Sequence, residues 1–181
     1  QAPFDEPAFV ERPEFRFSAQ TDDRVRQWTI GLGYQGRLED VGQISIGVQR
    51  SDYRKRVRAP TGALPASRDR PWLFSAAGML TLTSSLSLYA SMTRGLEESQ
   101  VAPAAAVNRD EAPPAIRTRQ IDAGLRFAAG PMTLIAGVFA IEKPYYGLDD
   151  GDVFRRLGTI HHRGIEASLA GMPIDGVTLD P

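Results

Sequence analysis

Apolar and polar residues alternate along most of the chain. In residues 28–38, WTIGLGYQGRL, large apolar side chains occupy every second position up to Tyr34, and the residues between them are small or polar. A period of two predicts a β-strand whose two faces differ in polarity. The same alternation recurs in segments 14–20, 43–49, 72–82, 86–93, 120–127 and 164–170. The segment MTLIAGVFAI, 132–141, is apolar on both faces, so its inward and outward residues stay undecided.

The lengths of the predicted strands indicate a membrane barrel. We count roughly nine strands of about 10 residues, which exceeds the ~5–6 residues typical of globular proteins and fits the ~9–11 of a tilted membrane-spanning strand. In such a barrel the apolar face contacts lipid and the polar, glycine-rich face lines the lumen. The alternative is a soluble β-sandwich with a binding role, in which the polar face is the solvated one.

Short and long connections take turns along the chain. The short ones are 39–40, 84–85 and 130–131, and the long polar ones are 51–70, 97–117 and 142–156. Alternating lengths place all long loops at one end of the sheet, as in barrels with short periplasmic turns and long extracellular loops. The sequence therefore predicts an all-β fold, an antiparallel up-and-down transmembrane β-barrel of which this chain holds about nine strands. Residues 101–107 are the one candidate for a short helical turn.

Composition excludes several classes of function. The 181 residues have a formal net charge of -1 and contain no cysteine. Disulfides and thiolate metal sites are therefore excluded, and no bulk attraction to nucleic acid is expected. No apolar run approaches the ~20 residues of a transmembrane helix.

Four segments resemble TonB-dependent siderophore receptors of the bacterial outer membrane. They are LSLYASMTRGLEES (86–99), APPAIRTRQIDAGLRF (112–127), LIAGVFAIEKPYY (134–146) and FRRLGTIHHRGIEASLAG (154–171). They follow the order and spacing of that family, and the element from Arg163 to Glu166, RGIE, is the most specific of them. Residues 1–85 fit the architecture without a sharp motif.

The resemblance implies a fold and a function. The family barrel has 22 strands around a plug, so residues 1–181 are expected to be part of the barrel domain, without the plug and without the final strand. The protein would bind a ferric siderophore as its cargo and import it, driven by the TonB complex acting on the plug. No enzyme activity and no resident cofactor are implied. The expected location is the outer membrane, with its lipid and lipopolysaccharide as further partners and with no nucleic acid. A porin-like or structural barrel without a plug is the alternative.

Seven residues in predicted outer loops are candidates for ligand binding. They are Arg54, Lys55, Arg56, Arg58, Lys143, Tyr145 and Tyr146. The basic run suits an anionic ferric siderophore or lipopolysaccharide phosphates, because Arg and Lys bind such anions. The tyrosines and Lys143 suit an aromatic or catecholate ligand. The alternatives are a solvated charged loop for the first group and the aromatic girdle at the membrane interface for the tyrosines.

Three further charged residues are predicted to face the lumen. Asp122, Arg126 and Glu166 occupy polar positions of their strands, where they would contact neighbouring strands or the plug. A charge is tolerated there, whereas Arg or Lys on the lipid face costs ~2–4 kcal/mol at the midplane.

Neither a catalytic nor a metal site is predicted. The two histidines, His161 and His162, are adjacent in a predicted strand and point to opposite faces, so they cannot chelate one metal ion together. The acidic run from Asp149 to Asp152 has some ligands of a calcium loop but lacks the remaining pattern of an EF-hand.

Overall fold

The computed structural model describes residues 20–174 and 177–179, which form one antiparallel sheet of ten strands. The strands are β1 (Asp22–Leu38), β2 (Gly42–Ala59), β3 (Gly62–Ala63), β4 (Ser67–Asp69), β5 (Trp72–Thr81), β6 (Leu86–Glu97), β7 (Ile116–Ala129), β8 (Met132–Leu148), β9 (Phe154–Ile174) and β10 (Val177–Leu179). Their order in the sheet is β1-β2-β5-β6-β7-β8-β9-β10, with β3 and β4 paired to β2. The predicted all-β, up-and-down, antiparallel fold is confirmed. The strand predicted within 14–20 falls almost entirely outside the described residues.

Tight connections lie at one end of the sheet, as predicted. Residues 39–41 join β1 to β2, 82–85 join β5 to β6, and 130–131 join β7 to β8. Asp40 and Gly130 have φ angles of 60° and 58°. This left-handed conformation suits turn residues such as Gly and Asp, which adopt it at low cost.

Two of the three predicted long loops are mostly strand, so those predictions were wrong in extent. Strand β2 continues to Ala59 with β3 and β4 paired back onto it, and β8 and β9 leave only residues 149–153 between them. The reason is that these strands extend beyond the apolar region, where polar side chains occupy both faces and the period-two contrast disappears. Residues 98–115 are the long connection without regular structure in the described part of the chain.

No helix occurs in the described residues, and therefore none that is long and apolar enough to cross a membrane. The stretch 101–107 forms turns instead, one of them closed by the Ala106 N–H donating to the Pro103 carbonyl at 2.9 Å.

The register of the strands places the apolar residues on one side of the sheet. Leu32 pairs with Val48 and Val48 pairs with Phe74, while Leu88 pairs with Leu125 farther along. Directly paired residues point to the same side. We call this side the apolar face and the opposite side the polar face. The apolar face includes Trp28, Ile30, Leu32, Ile46, Val48, Phe74, Leu80, Leu88, Met92, Ile121, Leu125, Leu134, Val138, Ile165 and Leu169.

The apolar face is bare. Trp28, Ile30 and Leu32 are 69%, 77% and 76% exposed, respectively. A soluble sandwich would bury these side chains against a second layer, but the described residues form a single sheet. The sandwich alternative therefore does not fit the structure.

The register also shows which residues of segment 132–141, which is apolar on both sides, lie on each face of the sheet. Leu134 and Val138 pair with Leu169 and Ile165 on the apolar face, so Phe139, the neighbour of Val138 in the strand, belongs to the polar face. There the Phe139 ring lies so close to Gly164 that a Cβ on that glycine would be 2.6 Å from the ring. Glycines on the polar face thus provide space for aromatic rings.

Candidate functional site

The end of the sheet opposite the tight turns is covered by residues 98–115, which we call the cover loop. At its start, the cover loop contacts Lys55 of β2, whose side chain is only 2% exposed. The Lys55 ammonium lies 2.5 Å from Glu98 Oε1, 2.9 Å from Asp23 Oδ2 and 2.7 Å from the Ser99 carbonyl oxygen, to which it donates. These contacts connect the cover loop to both β1 and β2.

Lys55 remains charged at neutral pH. Burial lowers the pKa of its ammonium, but hydrogen bonds and charge interactions with the Glu98 and Asp23 carboxylates outweigh that effect, so the net shift is upward. A buried cation with two carboxylate partners is a structural contact, because its donors are already occupied by protein oxygens.

The middle of the cover loop is attached to β9. The Asn108 side chain donates from Nδ2 to the Phe154 carbonyl oxygen at 3.0 Å, and the Phe154 N–H donates to Asn108 Oδ1 at 2.8 Å. Ala102 and Ala106 pack against the Phe154 ring, and these three residues are buried. Tyr146 of β8 packs on the same group, with its ring centroid 6.1 Å from that of Phe154.

These two attachments lie far apart in the sheet. Four strands, β5 to β8, separate β2 from β9 in the sheet order, yet one loop reaches both. At β2 the cover loop lies over the polar face, because Lys55 points to that side and contacts Glu98 and Ser99. The two ends of the loop are joined to each other and to β4, because Ser99 and Ser67 both donate their hydroxyls to the Pro113 carbonyl oxygen, at 2.6 Å and 3.2 Å.

Ion pairs connect the remaining outer segments. Arg117 of β7 lies 2.6 Å from Asp69 of β4. Asp52 of β2 accepts from both Arg68, at 2.7 Å, and Arg70, at 2.9 Å. These contacts keep β4 close to β2 and β7 at the loop end.

The acidic run between β8 and β9 forms a turn. Asp149 Oδ1 accepts from the Gly151 N–H at 3.0 Å and the Val153 N–H at 2.9 Å, and its other oxygen pairs with Arg155. The hydrogen bond from Arg155, followed by that from Val153, lowers the pKa of the Asp149 carboxyl. Within 20–174 and 177–179, His, Asp and Glu side chains form no cluster of three or more suited to a metal ion.

The basic run that was predicted to act as one set is divided between the two faces. Lys55 lies under the cover loop on the polar side, whereas Arg54, Arg56 and Arg58 are exposed on the side of the apolar face. The signal for this division is in the sequence, because neighbours in a strand point in opposite directions. It was missed because the run was interpreted as a loop.

The three candidates on β8 also have different surroundings. Lys143 pairs with Glu97 of β6, and Tyr145 is 48% exposed. Tyr146 instead packs beneath the cover loop against Phe154. The structure therefore leaves Lys143 and Tyr145 accessible at the loop end and places Tyr146 in the packing of the loop.

The charged residues predicted for the lumen lie on the polar face. Asp122 accepts hydrogen bonds from Ser91 of β6 and from Gln120, both at 2.9 Å. Arg126 and Glu166 share that face by register. Of the two histidines, His161 lies on the apolar side with its Nδ1 3.6 Å from Glu142 Oε1, and His162 points to the opposite side.

The chain matches no protein-family model and no curated protein sequence. It is similar in structure to BauA, the ferric preacinetobactin receptor of Acinetobacter baumannii, with a TM-score of 0.75 and 26% identity over 96% of this chain and 27% of BauA. It is also similar to the ferric-catecholate import receptor Fiu of E. coli K12, with a TM-score of 0.67 and 13% identity over 86% of this chain and 26% of Fiu.

A third similar structure is the alcaligin outer-membrane receptor FauA of Bordetella pertussis, with a TM-score of 0.67 and 16% identity over 86% of this chain and 28% of FauA. The likeness to Fiu and FauA shows the fold alone. The chain spans about a quarter of the length of each of these receptors. Its fold is that of a stretch of an outer-membrane receptor barrel, and none of the three structures is named as an enzyme.

Proposed function

We propose that this chain is part of the barrel wall and outer loops of a TonB-dependent outer-membrane receptor that imports a ferric siderophore. Residues 1–181 would all belong to the barrel domain, which closes around a plug. The observation that supports this most is the combination of a bare apolar face with a polar face that the cover loop covers at Lys55. The similarity to BauA over 96% of the chain adds to it.

The ligand would approach the polar face past the cover loop. Lys143 and Tyr145 are two residues apart on β8 and therefore point to the same side of that strand. A cation next to an exposed aromatic ring suits a catecholate or another aromatic, anionic iron chelate. Lys55 would not contact the ligand, because protein oxygens already surround its ammonium. The siderophore is cargo, and we propose neither a catalytic step nor a resident cofactor.

Iron uptake by cells tests this proposal. The intact protein would be expressed in an iron-limited strain that lacks its own siderophore receptors, and uptake of radioactive iron would be measured with catecholate and hydroxamate chelates. We expect uptake of at least one chelate, lost when TonB is deleted or the proton gradient is collapsed. Uptake that persists in both conditions would instead favour a porin-like channel, and no uptake of any chelate would contradict the proposal.

A pair of variants tests the position of the ligand. Tyr145→Ala should weaken binding of the transported chelate severalfold without changing the amount of protein in the membrane. Tyr34→Ala is the control, because Tyr34 lies on the apolar face near the tight turns and is 66% exposed there. Equal effects of both variants on chelate binding would contradict a role for the outer end of β8.

A further inference from the structure

Four arginines oppose one another across strands β1 and β2 beyond the apolar face. Arg26 pairs with Arg54, and Arg24 pairs with Arg56. All four are exposed, and we call them the outer arginine cluster. Directly opposed side chains have their Cβ atoms about 4.5–5.5 Å apart, and like charges at that position destabilise a sheet. Such an arrangement requires a source of negative charge.

The described residues do not supply that charge. The ion pairs among residues 20–174 and 177–179 include none of the four arginines. Two carboxylates lie on the same face two residues from the cluster. Asp52 is shared by Arg68 and Arg70, and Asp22, which is opposite Arg58, forms no ion pair with any of the four among the described residues. The four arginines and Val25 line a recess of about 460 Å³, which is large enough for a small anionic group.

The outer arginine cluster is continuous with the apolar face. Along β1 the same side of the strand presents Arg24, Arg26, Trp28, Ile30 and then Leu32. The Arg26 guanidinium carbon lies 5.9 Å from the centroid of the Trp28 ring, and on the neighbouring strands Arg50 lies 5.0 Å from the ring of Trp72.

Tryptophan is enriched where a membrane barrel crosses the interface between hydrocarbon and water. At a rise of about 3.3 Å per residue, Arg26 and Arg24 lie about 7 Å and 13 Å beyond Trp28 along the strand, at the level of lipid headgroups.

We propose that the outer arginine cluster binds the phosphate groups of a phosphorylated glycolipid in the outer leaflet of the membrane. Guanidinium groups bind phosphate through paired, charge-assisted hydrogen bonds, and a phosphate between Arg26 and Arg54 would neutralise their repulsion. The cluster lies on the opposite side of the sheet from the covered polar face, so it does not contact a ligand in the lumen. This inference depends on the part of the proposed function that orients the apolar face toward lipid.

Retention of lipid by the purified protein tests this inference. The intact protein in mild detergent would be incubated with bisphosphorylated lipid A, repurified, and analysed for bound lipid by mass spectrometry. We expect Arg26→Gln with Arg54→Gln to reduce retention roughly tenfold or more, because each arginine near the headgroups contributes to the attraction. The control, Arg37→Gln with Arg126→Gln, removes the same charge from the polar face and should leave retention unchanged. Removing the phosphates from lipid A should have the same effect as removing the two arginines. The wild type should therefore retain dephosphorylated lipid A as weakly as Arg26→Gln with Arg54→Gln retains phosphorylated lipid A.

Three results would overturn the inference. They are equal losses of lipid in the two double variants, equal retention of phosphorylated and dephosphorylated lipid A, and weaker ferric-siderophore binding in the first variant with unchanged lipid retention. The last result would show that the arginines bind the ferric siderophore rather than lipid. Failure of the siderophore proposal is separate, since a protein that imports no iron chelate but retains phosphorylated lipid supports this inference alone.

Stability measurements exclude a merely structural role. In lipid-free detergent, Arg26→Gln with Arg54→Gln should keep or raise the midpoint of thermal unfolding, since it relieves repulsion between opposed charges. The conservative pair Arg26→Lys with Arg54→Lys should recover part of the lipid retention. A lowered midpoint without recovery by lysine would contradict a phosphate site.

Discussion

The hydroxyl of Tyr89 on β6 occupies the space that a side chain at Gly137 on β8 would need. The ring reaches across the intervening strand β7, where Gly124 leaves room for it, and a Cβ at Gly124 would lie 2.6 Å from the same hydroxyl. Two glycines on adjacent strands thus form a recess on the polar face that holds one tyrosine. This contact joins three strands through a side chain rather than through backbone hydrogen bonds.

The two glycines should differ in their tolerance of alanine. A Cβ at Gly137 meets mainly the end of the Tyr89 side chain, which can move, whereas a Cβ at Gly124 meets the backbone carbonyl of Ala136, which cannot move easily. We expect Gly137→Ala to lower the free energy of unfolding by about 1 kcal/mol and Gly124→Ala by about 3 kcal/mol or more. Chemical denaturation of the refolded protein in detergent measures both.

Removal of the Tyr89 hydroxyl distinguishes a clash with that hydroxyl from a clash with the backbone carbonyl of Ala136. Tyr89→Phe should restore most of the stability lost in Gly137→Ala and little of that lost in Gly124→Ala. Gly158→Ala is the control, since no atom lies within 4 Å of a Cβ built there. A rescue of the same size at both glycines would show that the hydroxyl, and not the backbone, is the obstacle at Gly124.

Adjacent residues of β7 should respond oppositely to a change of charge. Leu125 lies on the apolar face and Arg126 on the polar face. Leu125→Arg should cost about 2–4 kcal/mol and reduce barrel assembly, because it places a charge in hydrocarbon. Arg126→Gln should assemble normally. Assembly is measured by heat-modifiable migration of the outer-membrane fraction, and equal tolerance of both variants would reverse the assignment of inside and outside.

The attachment of the cover loop to β9 should depend on one side chain. Asn108→Ala removes the side-chain amide that donates to the Phe154 carbonyl oxygen and accepts from the Phe154 N–H. It should cost about 1–3 kcal/mol of local stability. Limited proteolysis is expected to cut within 98–115 several times faster in this variant than in the wild type. Arg109→Ala is the matched control at the neighbouring position. Unchanged cleavage of Asn108→Ala would show that the alanine contacts with Phe154 are sufficient to hold the loop.

The turn at 149–153 should weaken in acid. The pKa of Asp149 is lowered in the folded protein by Arg155 and by the Val153 N–H. A lowered folded-state pKa gives stability that is present above the unfolded value of about 3.9 and is lost as the pH falls through the folded value. We expect Asp149→Asn to have a lower unfolding midpoint than the wild type at pH of about 7. The difference should begin to shrink near pH of about 4 and disappear only below the lowered pKa of the folded state. A difference that is independent of pH would exclude the ionised carboxylate as its source.

The alternation of residues was enough to predict the strands and tight turns, because each strand has one apolar and one polar face where it passes the apolar region. It was not enough beyond that region. There Arg54 and Lys55 are both cationic, and only the strand geometry separates an exposed guanidinium from a buried ammonium. The pairing of Asn108 with Phe154 joins residues 46 positions apart and follows no motif, so sequence reasoning had no signal for it. The positions of the candidate ligand residues were limited in the same way, since Tyr145 and Tyr146 are adjacent but have different surroundings.

The division of β2 into two opposite rows has a consequence for how this hairpin can change in length. Insertion of one residue directly after Arg50 would move every later side chain of β2 to the other side of the sheet. The guanidinium groups of the following arginines would then lie beneath the cover loop, and Tyr53 would face the lipid side. An insertion of two residues would preserve both rows. Natural variation in the length of this hairpin should therefore occur in even steps.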